Sequence, residues 1–313
     1  MNLDNLKSII YNEFQKNNLI KKQENNKIYI DEKNLNKILT IIFNKSSKEL
    51  YSFSILKKEY GKCFIILFDN QSLEKKEFII QDIEENHKLK SKLYKIKYAI
   101  FKSLRIVPII GPDGVGKTTL LTNVMKDIKD SILYERFKKI VRRSIIYNIV
   151  YPINKIILKK QYGKRLEKDQ YDDVNSKLII LAGLLYYPYL ILNTMLFKKL
   201  IFVDRFFQDI LLKNISFPEK NTQLRDRWKL LLKFIPTVFW KIHLDAKTDI
   251  IMKRKDELTK DDIDKYRELN FKIYLEKPSF NYSYINTSNN IENCKNSLLY
   301  IGKNIEIIKK GIQ

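Results

Sequence analysis

Apolar and polar positions repeat along the chain with two periods, and the switches between them mark the elements. Residues Leu3 to Leu19 carry apolar side chains at helical spacing and predict an amphipathic helix, and Leu35 to Phe43 predict a second. Lys27 to Ile30, Lys62 to Phe68 and Glu77 to Ile80 read as strands, with the turn chemistry of Asp69-Asn70-Gln71-Ser72 between the last two. A charged helical run follows from Glu84 to Phe101. Beyond it the pattern alternates. The apolar run Arg105 to Ile110 leads into helically spaced Leu120, Leu121, Val124, Met125 and Ile128. Further strands are expected at Ser131 to Tyr134, Leu200 to Asp204, Val238 to Leu244 (closed by Asp245) and Tyr284 to Asn286, before an amphipathic helix ending near Lys310. Such β-α alternation predicts an α/β fold, a parallel sheet of about five strands with helices on both faces. The expected organisation is a small α+β N-terminal module over 1–98, without a catalytic motif, and an α/β domain over 99–313.

The first strand of the second part runs into Gly111-Pro112-Asp113-Gly114-Val115-Gly116-Lys117-Thr118-Thr119, and a helix opens at its end. Three of the chain's eight glycines lie in these nine residues. Glycine lets successive backbone N–H groups turn inward around an anion with no Cβ in the way, and a helix N-terminus favours negative charge. Strand, glycine-rich loop and helix together are the context of a phosphate-binding loop, the mark of P-loop NTPases. Gly111, Gly114, Val115 and Gly116 are expected to offer backbone amides to phosphate, and Lys117 its ammonium to the β- and γ-phosphates. The Thr118 hydroxyl is placed for Mg²⁺, with Thr119 beside it.

Asp204 closes a buried-type strand, the position from which a carboxylate reaches the same Mg²⁺. Arg205 follows at once and can clamp an acceptor's phosphate or the transferring group. Asp113 would repel phosphates if it faced them, so it is expected to point toward the acceptor and bond a hydroxyl there. The stretch Thr248 to Thr259 is basic and then polar, as a lid over phosphates requires, with Arg254 its expected cation and Lys253 second.

Composition adds limits. A formal charge of +23 with 44% apolar residues suits a globular chain that meets anions. Lysine, asparagine and isoleucine are abundant throughout, and no recognition module stands out, so a nucleic acid partner is not expected. Cys63 and Cys294 are isolated, which fits a reducing cytoplasm; His87 and His243 read as structural. Met1 to Lys22 carries acids and has no continuous apolar core, unlike a signal peptide. Leu178 to Phe197 is the exception: twenty residues without a charge, long enough to span a bilayer. A single span there would put Lys117 and Asp204 on opposite sides. A buried or groove-lining helix is therefore expected, with peripheral membrane contact and a homodimer left open.

The loop, Val203-Asp204-Arg205-Phe206, the segment His243 to Arg254 and the stretch Ile285 to Asn293 together resemble thymidylate kinases. The resemblance covers 105–310. Asp204-Arg205-Phe206 is similar to that family's Asp-Arg-Tyr, and the resemblance implies that Asn286 lies against adenine. It implies ATP and Mg²⁺ as cofactors and a nucleoside monophosphate, dTMP or a relative, as acceptor. Acceptor-side residues depart from the family: Tyr134-Glu135-Arg136-Phe137 stands where an Arg-Glu-Pro or Phe-Pro-type stretch is usual. The serine and Tyr-Gln pair expected beyond Asp-Arg-Tyr are absent from Phe207 to Leu212. The long apolar helix, Phe217-Pro218 and the run Lys255 to Asn270 also resemble a divergent bacterial branch met among surface-polysaccharide genes, which implies a sugar, glycan or glycolipid acceptor. A regulatory ATPase and a nucleotide-binding membrane-surface protein are the readings from other classes.

Overall fold

The computed structural model of the chain describes every residue except 1, 50, 70–73, 83–87, 129–131, 163–175, 209–211, 213–231, 256–257, 289 and 309–313. The expected turn at Asn70 to Ser72, His87, Ser131, Phe217-Pro218 and the helix end near Lys310 lie outside the described residues.

The first part builds α1 (Leu3–Lys16), β1 (Lys22–Glu24), β2 (Lys27–Ile30), α2 (Leu35–Lys48), β3 (Ser52–Glu59), β4 (Lys62–Phe68), β5 (Lys75–Asp82) and α3 (Lys88–Ser103). Helix α1 starts where the Asn2 side chain accepts the Asn5 N–H at 2.8 Å, a side-chain N-cap. The second part builds β6 (Ile106–Ile110), α4 (Lys117–Lys126), β7 (Ile132–Arg136), α5 (Phe137–Val141), α6 (Ile145–Tyr162), α7 (Ser176–Phe197) and β8 (Leu200–Asp204). It ends with β9 (Trp240–Asp245), α8 (Thr248–Arg254), α9 (Lys260–Glu276), β10 (Asn281–Asn286) and α10 (Ile291–Asn304). Helix α9 opens on a capping box in which Thr259 and Asp262 bond each other's backbone reciprocally.

All ten strands form one sheet, in the order β1-β2-β5-β4-β3-β10-β9-β6-β8-β7. Strands β6 to β10 pair in parallel among themselves. The expected sheet of about five strands is therefore corrected: the parallel strands are part of a larger mixed sheet, because β3 adds antiparallel to β10 with Phe53 opposite Tyr284. The polar residues Ser52 and Ser54 hide β3 in the sequence. Both are buried: Ser54 bonds the Ser283 hydroxyl at 3.0 Å, and Ser52 accepts the Asn286 N–H at 2.9 Å. Helix α3 runs across residue 98 and ties the parts together, its Tyr94 donating to the Lys57 carbonyl and its Tyr98 packing on Phe239 and Phe280.

Side chains alternate across the sheet and feed a core on each face. Val107, Ile109, Phe202, Trp240 and Leu244 point to the side covered by α4 and α10. Ile106, Ile201 and Val203 point to the side of α5, α6 and α7. On that same side, α1, α2 and α9 cover Phe53, Ile55, Tyr282 and Tyr284. Every residue of β6, β8, β9 and β10 is buried, as parallel strands covered on both faces require. The carboxyl ends of these strands converge at one edge, where ligands gather in open α/β sheets.

Candidate active site

The loop between β6 and α4 is shaped by its glycines. Gly111, Gly114 and Gly116 have φ of 146°, 86° and 87°, values that side chains disfavour. Gly111 has no room either: a Cβ there would stand 2.3 Å from the Leu244 carbonyl oxygen at the end of β9. Val115 is buried and anchors the loop in the core.

Neighbouring elements hold the loop from outside. The Thr287 hydroxyl, just past β10, donates to the Val115 carbonyl at 2.6 Å. Tyr266 of α9 accepts the Gly111 N–H at 3.1 Å. Arg254, at the end of α8, donates from Nη1 to the Gly114 carbonyl at 3.1 Å. The expected lid cation therefore touches the loop itself. Beneath these contacts Asp245 ties β9 to α9, accepting from Arg267 Nε at 2.7 Å and from the Tyr284 hydroxyl at 2.6 Å.

The Lys117 ammonium lies over the loop, donating to the carbonyls of Gly111 at 2.8 Å and Pro112 at 3.0 Å, and only 7% of the residue is exposed. Asp113 is 3.8 Å from that ammonium and pairs with the Arg205 guanidinium. The acid and the arginine, both expected to face the acceptor, meet each other, each neutralising the other. Arg205 holds φ 60°, a left-handed backbone that non-glycine residues adopt at a cost of about 1–3 kcal/mol, often at functional sites. Its N–H donates to the Ile109 carbonyl at 3.2 Å, which turns the chain sharply after β8.

Asp204 pairs with Ile109 in the sheet and so stands beside the loop's entry. It is 3% exposed; its Oδ1 is buried without a hydrogen-bond partner, and its Oδ2 is 3.7 Å from Arg136 Nε. An orphaned carboxylate oxygen costs free energy unless a cation or donor completes it. The Thr118 hydroxyl lies 3.4 Å from the Tyr134 hydroxyl, which also feels the Asp204 charge. Burial, first of all, pushes the Tyr134 phenol up, so it stays a neutral donor. A carboxylate and a hydroxyl are hard oxygen ligands of the kind Mg²⁺ takes together with phosphate, so Asp204 and Thr118 fit that ion.

Other expected residues are placed differently. Thr119 is exposed on the first turn of α4. Asn286 is fully buried, and its side-chain oxygen accepts the Ser288 N–H at 2.9 Å, so it shapes the turn after β10 rather than standing at the surface of the site. Lys253 is exposed. His243 is structural, as expected: it is buried, with Nδ1 2.7 Å from the Tyr282 hydroxyl. The residues unforeseen as site contributors are Tyr134, Tyr266 and Thr287. Only Tyr134 carried a signal, standing at the end of an expected strand; the structure pairs that strand with the one that ends in Asp204.

Strand β6, the loop and α4 thus have the strand, glycine loop and helix geometry expected of a phosphate loop, in an α/β fold. The chain is similar to the solved structure of thymidylate kinase from Candida albicans: 17% identity, TM-score 0.42, covering 66% of this chain and 96% of that one. It is also similar to deoxyadenosine kinase from M. mycoides: 10% identity, TM-score 0.40, covering 64% of this chain and 99% of that one. No family model and no curated protein matches the chain.

Proposed function

We propose that the chain is a P-loop phosphotransferase that moves the γ-phosphoryl group of ATP, with Mg²⁺, to a nucleoside monophosphate, dTMP or a relative. The observation that supports this most is the buried Asp204 oxygen without a partner beside a glycine loop that ends in Lys117 and Thr118. Backbone amides from Gly111 to Thr118 would receive the phosphates. Lys117 would give up its bonds to Gly111 and Pro112 for the β- and γ-phosphates. Thr118 and Asp204 would hold Mg²⁺, which supplies charge neutralisation for the transferring group.

Arg254 already reaches the loop and adds positive charge as the γ-phosphoryl leaves. Arg205, held by Asp113, faces the acceptor side. Little bond chemistry falls to the protein, and rate comes from positioning and electrostatics.

A second reading keeps the donor half and changes the acceptor to a sugar, glycan or glycolipid. It is favoured by the acceptor-side strand end, where Arg143 forks onto Glu135 at 2.7 and 2.8 Å and Phe137, Phe206 and Phe207 fill the space below with mutual ring contacts. Transfer from γ-labelled ATP, offered with dTMP, other nucleoside monophosphates and sugar or glycolipid acceptors side by side, decides between the two. Labelled dTMP supports the first reading. Labelled sugar with dTMP untouched supports the second, and label released as inorganic phosphate whatever the acceptor contradicts both.

A further inference from the structure

We propose that the outward faces of α6 and α7 form a surface that docks flat on an anionic lipid bilayer. Helix α7 includes a charge-free stretch of twenty residues, Leu178–Phe197, yet only 44% of its most apolar window is buried. Its inner face is fixed: Ile179, Ala182 and Tyr187 are buried, and a Cβ on Gly183 would stand 2.6 Å from the Phe137 ring. The helix is packed along one side against α5 and α6. Its outer face carries Leu181, Leu185 and Leu192, each more than half exposed.

Helix α6 packs beside α7 and repeats the arrangement, with Ile149, Ile153 and Ile156 each about 60% exposed. The stripes step by three and four residues on each helix, so each keeps one line outward over its whole length.

Charge selects the occupant. Neither helix contains an acidic residue. Lys155, Lys159 and Lys160 on α6 and Lys198 and Lys199 after α7 border the apolar stripes. Lysine stems extend along apolar surface while their ammonium groups reach headgroups. Apolar stripes with a lysine border are the features by which helices lie in the interface of an anionic membrane. A second copy of this chain would bring the same lysines and another +23 of net charge against them. The proposal rests on the helices and not on the phosphate loop, so it stands or falls apart from the kinase reading.

The test is cosedimentation of the full chain with phosphatidylcholine vesicles, with and without phosphatidylglycerol, at low and high salt. The wild type should sediment with the anionic vesicles, release as salt rises, and stay in solution with phosphatidylcholine alone. Ile153→Asp with Leu185→Asp should lower the partition about tenfold or more, since both side chains are exposed in the folded protein and the fold does not need them. Lys159→Glu with Lys160→Glu should lower it on anionic vesicles only. An unchanged thermal transition shows that the variants fold. No sedimentation with anionic vesicles, or equal sedimentation of the folded aspartate variant, overturns the proposal. So does a stable dimer in vesicle-free buffer that the aspartate variant converts to monomer, which would assign the face to a second copy.

Discussion

The carboxylate of Asp113 and the guanidinium of Arg205 meet across the phosphate loop, joining the loop's one acid to the residue that follows Asp204. The pairing explains how an acid is tolerated among the backbone amides proposed to receive phosphate. Its charge is met by Arg205, with the Lys117 ammonium 3.8 Å away. It also explains why Arg205 keeps a left-handed backbone: the turn after β8 brings the side chain back over the loop.

The pair should act as a unit. Asp113→Asn and Arg205→Met, measured singly and together for phosphoryl transfer, should be less than additive, with a coupling of about 0.5–1 kcal/mol for a half-exposed pair. Additive losses would mean that the two residues act independently.

Gly111 should tolerate no side chain. Gly111→Ala brings a Cβ against the Leu244 carbonyl at a φ that alanine disfavours, and urea unfolding should show a loss of about 2 kcal/mol or more. A midpoint equal to wild type would contradict the close approach of loop and β9.

His243 should make the protein acid-sensitive. Burial, first of all, lowers it from 6.5 to about 4, while Asp245 works the other way and Arg267, Lys241 and Lys117 add to the lowering. The unfolded chain then takes up the proton first. The stabilisation from the neutral ring is complete above pH 6.5 and is lost as pH falls toward 4, by about 3 kcal/mol over the whole window. His243→Gln should flatten the dependence of unfolding free energy on pH in that range. An identical slope in the variant would remove His243 as its cause.

Arg254 should matter to transfer more than to folding. It is exposed and its Nη1 meets only the edge of the loop at Gly114 in the contacts seen here, so Arg254→Ala should leave the thermal transition unchanged. The transfer rate should drop about tenfold or more. An unchanged rate would reduce the contact to a surface bond.

The sequence showed the strand, glycine loop and helix from β6 to α4 well because their constraints are local. A strand, three glycines, a lysine and a helix within one short stretch allow little else, and β8 announces itself as an apolar run closed by Asp204. What joins the two parts was harder to see. Strand β3 buries two serines against Ser283 and the Asn286 backbone, and polar residues satisfied inside a sheet look like surface in a one-dimensional pattern. Helix α6 escaped because it contains Pro152 and turns isoleucines outward, against the usual rule for an amphipathic helix. The meeting of Asp113 with Arg205 depends on a turn geometry that no spacing reveals. Asn286 was placed by resemblance, and in the structure its buried side chain holds the turn after β10.

Lys117 and Asp204 are proposed to serve one ATP- and Mg²⁺-dependent transfer. The most direct measurement is transfer from γ-labelled ATP by the wild type, Lys117→Ala and Asp204→Asn, with Mg²⁺ and with chelator, across the panel of acceptors. The account predicts labelled acceptor from the wild type only with Mg²⁺, and a loss of about a hundredfold or more in each variant, with thermal transitions showing both folded. Transfer that persists in chelator, or in folded Asp204→Asn at the wild-type rate, would contradict it.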